Sequence, residues 1–138
     1  MNNNRSERGQ SLVEIALSLT FLLILVSGVV DLGRIFFSYV ALRDAAQEGA
    51  AYASICPADT TGIEDRVRTT SNIPVNLQDP NITVTVTQLG AGQVGDGIEV
   101  TVTFSNFPLI TPFMGAILGS QTLTLRADQI DTILRSDC

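Results

Sequence analysis

Histidine, lysine and tryptophan are all missing from the 138 residues. Without histidine there is no imidazole base or metal ligand. Without lysine there is neither a Schiff-base amine nor a P-loop cation. Charge is sparse, at 16% of residues, against ~25% in an ordinary soluble domain. What charge there is leans acidic, with 14 carboxylates against 8 arginines. That balance lacks the basic footprint that duplex nucleic acid requires, so no nucleic-acid partner is expected. Aromatics make up only 6%, whereas hydrophobic residues reach 45%. A mean hydropathy of +0.29 directs attention to a membrane segment.

That segment lies near the N-terminus. From Ile15 to Val30 no residue is charged, and extending back to Leu12 admits only Glu14. Leu12 to Val30 is 19 residues, within the ~17–25 that cross a bilayer as a helix. A secretory signal peptide, with Arg5 and Arg8 as its basic start and a cut after Gly28, is the competing reading. The helical pattern, however, runs on through Ile35, Phe36, Tyr39, Val40 and Leu42 without a breaker. Arg5 and Arg8 before the segment balance Arg34 and Arg43 after it, so arginine counting does not orient it. A short cytoplasmic head and an exported body is the simpler arrangement. Glu14 is the odd residue, because a carboxylate in an apolar helix is unfavourable by several kcal/mol unless paired or neutralised. At the headgroup edge, near a helix start, the macrodipole would favour it.

The residues before it are Arg8-Gly9-Gln10-Ser11-Leu12-Val13-Glu14. A polar leader ending in glycine, a glutamate five residues later and an apolar helix resemble a type IV prepilin processing site. The longer run from Arg8 to Ala53 resembles the TadE-like family of pseudopilins of tight-adherence (Tad/Flp) pilus systems. The RG-x-x-x-VE start and the stretch from D-x-x-R (Asp31 to Arg34) to A-A-x-E-G-A carry the likeness. Ile15 departs from the tyrosine typical of the major pilins, which favours a pseudopilin over the main fibre subunit. The resemblance implies a prepilin peptidase cutting between Gly9 and Gln10, with this chain as its substrate. It also implies other pilin-like subunits as partners, and a bacterial inner (cytoplasmic) membrane protein, single-pass, with an exported C-terminal domain and a place in an extracellular filament. The new amine on Gln10 would then pair with Glu14 of a neighbouring subunit, making Glu14 an assembly residue that sets axial stagger.

The expected organisation is a leader at 1–9, a transmembrane helix at 10–30, an exported continuation at 31–56 and a head at 57–138. The helix is expected from about Gln10 to Ser54, ended by Cys56-Pro57. Ala41, Ala45, Gly49 and Ala53 recur every four residues and form a smooth helix-packing stripe. It receives either the protein's own sheet or a neighbour's helix, with Arg43, Asp44 and Glu48 on the solvated side.

In the head, Thr60 or Thr61 is expected to cap a short helix through Thr69, with Glu64 and Asp65 in its first turn. Ile82, Val84 and Val86 alternate with Thr83, Thr85 and Thr87, as Ile98, Val100, Val102 and Phe104 do with Glu99, Thr101 and Thr103. Two strands joined by a glycine-rich hairpin follow, then a third at about Gln121 to Gln129 and a short helix after Pro112. The fold class is therefore α+β, pilin-like: a long N-terminal helix packed on a small antiparallel sheet of about three strands. Cys56 and Cys138, an even pair in an exported domain, suggest a disulfide; two free thiols are the alternative.

Gly90-Ala-Gly-Gln-Val-Gly matches a dinucleotide fingerprint in letters only, since a strand rather than a helix comes next. Asn81-Ile-Thr is a sequon by pattern alone. Asp96 with Glu99, or Asp128 with Asp131, fall short of a calcium loop's ligand count. No metal or other cofactor is expected, and no nucleophile–base pair can be assembled, so the chain is not expected to be an enzyme. Two functions remain. One is a TadE-like structural protein that joins or supports a pilus or related secretion filament. The other is an uncleaved, single-span envelope protein whose head is a binding module.

Overall fold

The computed structural model describes residues 4–70, 73–112, 114–136 and 138, the side chains of 4–8 and 116 excepted. The start of the expected leader, the side chains of Arg5 and Arg8, and the residues Phe113 and Asp137 thus lie outside the described residues. The elements are α1 (Asn4–Ala53), α2 (Thr60–Thr69), β1 (Ile82–Leu89), β2 (Gly97–Pro108), α3 (Met114–Leu118) and β3 (Thr122–Thr132). The three strands form one antiparallel sheet in the order β1-β2-β3. The fold is α+β, a long N-terminal helix on a three-stranded sheet.

At 50 residues, α1 is about 75 Å long. Its sequence divides it. Up to Val26 every described side chain is exposed. From Asp31 onward one face is covered: Asp31, Ser38, Leu42, Ala45, Ala46, Gly49, Ala50 and Ala53 are buried. The steps mix three and four residues, which holds a row in line on a 3.6-residue helix. Strict four-residue spacing drifts about 40° per step. Ala41, first of the expected stripe, is accordingly only half-buried, while Ala45, Gly49 and Ala53 lie under the head.

What lies on that face is the chain's own sheet and α2. Ile98, Val100 and Val102 from the central strand, Ile63 and Val67 from α2, and Ile82, Leu77 and Ile133 are all fully or almost fully buried there. The residues on α1 are small because the partner is large. A Cβ on Gly49 would stand 2.5 Å from Val67 Cγ2 and 3.2 Å from Val100 Cγ1.

The opposite face of the sheet is threonine-rich, with Thr83 across from Thr103 and Thr85 across from Thr101. Alternation breaks once. Phe104 pairs with Leu125 but Phe107 pairs with Leu123, so β2 carries one extra residue there. Asn106 sits at φ 59, a left-handed conformation that asparagine tolerates. Without that bulge Phe107 would point to the threonine face; with it, Phe107 turns inward, 4% exposed, edge-on to Phe104 at 5.6 Å.

The start of α2 corrects the expected cap. Asp59, not Thr60 or Thr61, is the N-cap, and its Oδ1 accepts from the Gly62 N–H at 3.0 Å. The helix begins at Thr60, so Glu64 and Asp65 fall past its first turn. Glu64 instead accepts from Arg68 at 2.8 Å. Arg68 also donates to the Leu77 and Ile82 carbonyls, tying the intervening loop to α2. At the far end of the stem the Leu134 N–H donates to Ser54 O, and Cys56 and Cys138 form a disulfide with Cα atoms 5.3 Å apart. Closing a loop of 82 residues is worth roughly 4–5 kcal/mol in the chain-entropy view.

Two predictions follow from this packing. Gly49→Ala gains about 1 kcal/mol of helix propensity but overpacks a site with no room, at about 1–3 kcal/mol. Thermal unfolding of the full chain in detergent is therefore expected at lower temperature, not higher. The second concerns Asp59. Hydrogen bonds from the Gly62 N–H and the Tyr52 hydroxyl hold its carboxyl below the usual range. A depressed carboxylate stabilises the fold above its unfolded value, ~3.9, and that contribution disappears as pH falls through the folded one. Amide protection at the start of α2 should fall on acidification, and Asp59→Asn, which still caps, should flatten that dependence.

Candidate functional site

The residues singled out on the stem fall into two groups with opposite surroundings. Gly9, Gln10 and Glu14 lie in the first part of α1, all exposed. Glu14 has no ion-pair or hydrogen-bonding partner among the described residues. Its neighbours along the exposed surface are apolar: Val13, Ile15 and Leu17 are 60%, 61% and 68% exposed. A Cβ on Gly9 would meet nothing within 4 Å, and the same holds at Gly28 and Gly33. Glycine is unfavourable inside a helix by ~1 kcal/mol relative to alanine. Among the described residues nothing crowds Gly9 or Gly28, whereas Gly33 borders the groove described below.

The second group is the fastening of the head to the stem at Asp31. This aspartate directly follows the charge-free run, yet it is only 4% exposed. Its carboxylate accepts from the Ile110 N–H (2.9 and 3.0 Å), the Thr111 N–H (2.6 Å) and the Thr111 hydroxyl (2.6 Å). Arg34, one turn on, supplies a fourth donor at 3.1 Å. The same guanidinium donates to Pro108 O at 3.2 Å and stands 5.2 Å over the Phe107 ring. The bulge in β2 thus serves this junction, because it brings Phe107 and Pro108 onto Arg34. Ser27, four residues before Asp31, donates to the Thr111 hydroxyl at 3.3 Å.

The segment that Asp31 holds is braced from behind. Gln121 Nε2 donates to the Leu109 and Thr111 carbonyls, and Gln121 Oε1 accepts from the Gly115 N–H, each near 3 Å. Four donors on one carboxylate match its lone pairs and offset its desolvation. Beside the junction a mostly apolar groove of about 460 Å³ opens between Val30, Gly33, Phe37, Pro74 and Phe107, with Arg34 and Ser38 also in its wall.

Sequence reasoning placed Asp31 and Arg34 only within a family-like motif and gave them no role. The one local signal was a lone acid ending an apolar run. Its partners lie 79 and 80 residues away. The glycine-rich loop joins β1 to β2, with Gly90, Gly92 and Gly95 at positive φ and Asp96 accepting from the Gln93 N–H. Among the described residues no three cysteine, aspartate or glutamate side chains converge as metal ligands would.

Asp31→Ala leaves two backbone donors and a hydroxyl without acceptors. The expected loss is about 3–5 kcal/mol at this junction. Hydrogen exchange should show it as faster exchange at Ile110 and Thr111, with the sheet amides of β1 retaining their protection. Unchanged exchange at those two amides would refute the fastening.

No curated protein matches this chain, and no solved structure does. One family model does, described as TadE-like protein, over residues 9–51. The match begins at the glycine of the polar start and takes in Glu14, the apolar run, Asp31 and Arg34. The likeness to the TadE-like family thus covers residues 9–51, about a third of the chain.

Proposed function

We propose that this protein is a pilin-like structural component, anchored in the bacterial inner membrane by α1, that joins or supports the assembly of a tight-adherence pilus or related secretion filament. Residues 10–30 span the bilayer, 31–56 continue outward, and the head is exported. The role is mechanical rather than catalytic, and its partners are other pilin-like subunits. A prepilin peptidase removes the first nine residues, between Gly9 and Gln10.

The observation that carries this reading is Glu14, a carboxylate with no partner among the described residues, on the apolar stretch that the head leaves bare. The family match covers it. One helix among the described residues, α1, is apolar enough to cross a membrane, with a mean hydropathy of 2.4 over its best window. A carboxylate on such a helix must find a cation in trans or lose its charge. With lysine and histidine absent, the cations a second copy can offer are its arginines and the amine freed on Gln10, and the amine is the one carried next to this stretch of the mature helix. Gly9 and Gly28, where a Cβ would meet nothing among the described residues, supply places where another helix can approach closely.

Mass spectrometry of the protein from native envelopes tests the reading. The mature chain should begin at Gln10, and Glu14→Ala should lower its recovery in the sheared filament or assembly fraction by ~10-fold or more, the effect of ~1.4 kcal/mol or more of lost pairing. A chain retaining Met1, with Glu14→Ala incorporated normally, would point to the permanently anchored binding module, with the Thr83, Thr85 and Thr87 face as its surface.

A further inference from the structure

The head carries a long stretch without charge. From Val100 to Leu125, 26 residues, there is no Asp, Glu or Arg, although residues 57–138 hold nine carboxylates and four arginines. The middle of this stretch is the segment fastened to Asp31, followed by α3. Its outward side chains are large and apolar: Ile110 is 62%, Ile117 75% and Leu118 51% exposed. An apolar surface of this kind on an acidic head calls for a cover.

Its position along the stem says what the cover is. Thr111 bonds to Asp31 and to Ser27, and Ser27 lies inside the charge-free run. Gln121 holds both Thr111 O and the Gly115 N–H, so α3 is folded back beside Thr111. The segment therefore sits level with the last turn of the stretch that we read as spanning the membrane. That stretch, residues 10–30, rises about 31 Å and matches the ~30 Å of hydrocarbon, so its last turn lies at the outer boundary of the bilayer. Asp31 is buried and paired with Arg34, whose side chain is 35% exposed at the edge of the junction, and beside it the apolar surface continues sideways to Ile110, Ile117 and Leu118.

We propose that Ile110, Ile117 and Leu118 form an interfacial anchor, seated in the outer headgroup and upper acyl region of the same bilayer that α1 crosses. Ile117 and Leu118 enter the lipid beside the helix end, as the apolar face of a monotopic segment does. The head is then held against the membrane at a fixed tilt before assembly, and leaving the bilayer requires both α1 and this anchor to come out. The inference rests on the reading of α1 as a membrane span and goes beyond it.

The absence of tryptophan gives a clean optical test on the full chain. Single variants Ile117→Trp, Leu118→Trp, Phe21→Trp and Val94→Trp are placed one chain per nanodisc of phosphatidylethanolamine and phosphatidylglycerol, with and without acyl-brominated lipid. Val94, 61% exposed in the hairpin at the far end of the head, reports water. The expected result is blue-shifted, bromine-quenched emission at 117, 118 and 21, and red, unquenched emission at 94. Quenching at 21 with water-like emission at 117 and 118 overturns the anchor and leaves the span intact. No quenching at 21 overturns the span and the anchor together. A blue shift at 117 and 118 that bromine leaves unquenched, or that appears only with several chains per disc, overturns the anchor in favour of a second copy as the cover.

Discussion

One carboxylate fixes the geometry of the molecule. Asp31 binds the loop after β2 to the stem at the point where the bare half of α1 gives way to the covered half. At the other end, about 35 Å along the helix, Ser54 O accepts from Leu134 and the Cys56–Cys138 bridge closes the terminus. Between these two fastenings the helix needs only to be smooth. Ala45, Ala46, Gly49, Ala50 and Ala53 let the sheet and α2 come down onto the backbone, and the large side chains are all supplied by the head. A head held at both ends moves with its stem as one body, so a force or rotation applied to either is carried by the other.

The bare half imposes the second constraint. Thirteen large hydrophobic side chains from Leu12 to Val30 stand exposed. At about 1.5–3 kcal/mol each, leaving them in water is unfavourable by tens of kcal/mol. A domain's whole net stability is about 5–15 kcal/mol. No rearrangement within this head can supply that cover, because its own apolar face is already filled by Leu42 and the alanines. The cover must come from outside the chain, as lipid or as other helices. The family match and the span read from α1 agree with that necessity, which composition had already indicated.

Legibility divides along the same line. Features encoded by local period were readable: the apolar run, the long helix, the two alternating strands and the short helix after Pro112. Features that depend on partners far away in sequence were not. Asp31 sits one residue beyond a hydrophobic run, with acceptors to offer and nothing nearby to say who takes them. The bulge at Asn106 lies beyond the alternation that ends at Phe104; the clue was a second phenylalanine, Phe107, at the wrong parity. The α2 cap was misplaced by one residue because Asp59, Thr60 and Thr61 are all good caps, and only the hydrogen bond to Gly62 chooses among them. The packing stripe was read at a strict spacing of four, whereas the covered face follows the true helical pitch and leaves Ala41 at its edge.

Two acids, Glu14 and Asp31, bracket the apolar run, and their contrast is the most informative comparison in the chain. Both face the same problem, since a carboxylate next to hydrocarbon must be matched by donors or lose its charge. Asp31 is matched within the chain by four donors, three delivered by the loop after β2 and one by Arg34 a turn along the helix. Glu14 has nothing comparable among the described residues. A side chain whose requirement is met internally serves the fold of the subunit. One whose requirement is left open on an exposed helix is free to be met from outside the chain, and that is the physical basis on which we propose Glu14 as an assembly residue. The contrast between the two acids therefore lies in their surroundings and not in position or residue type.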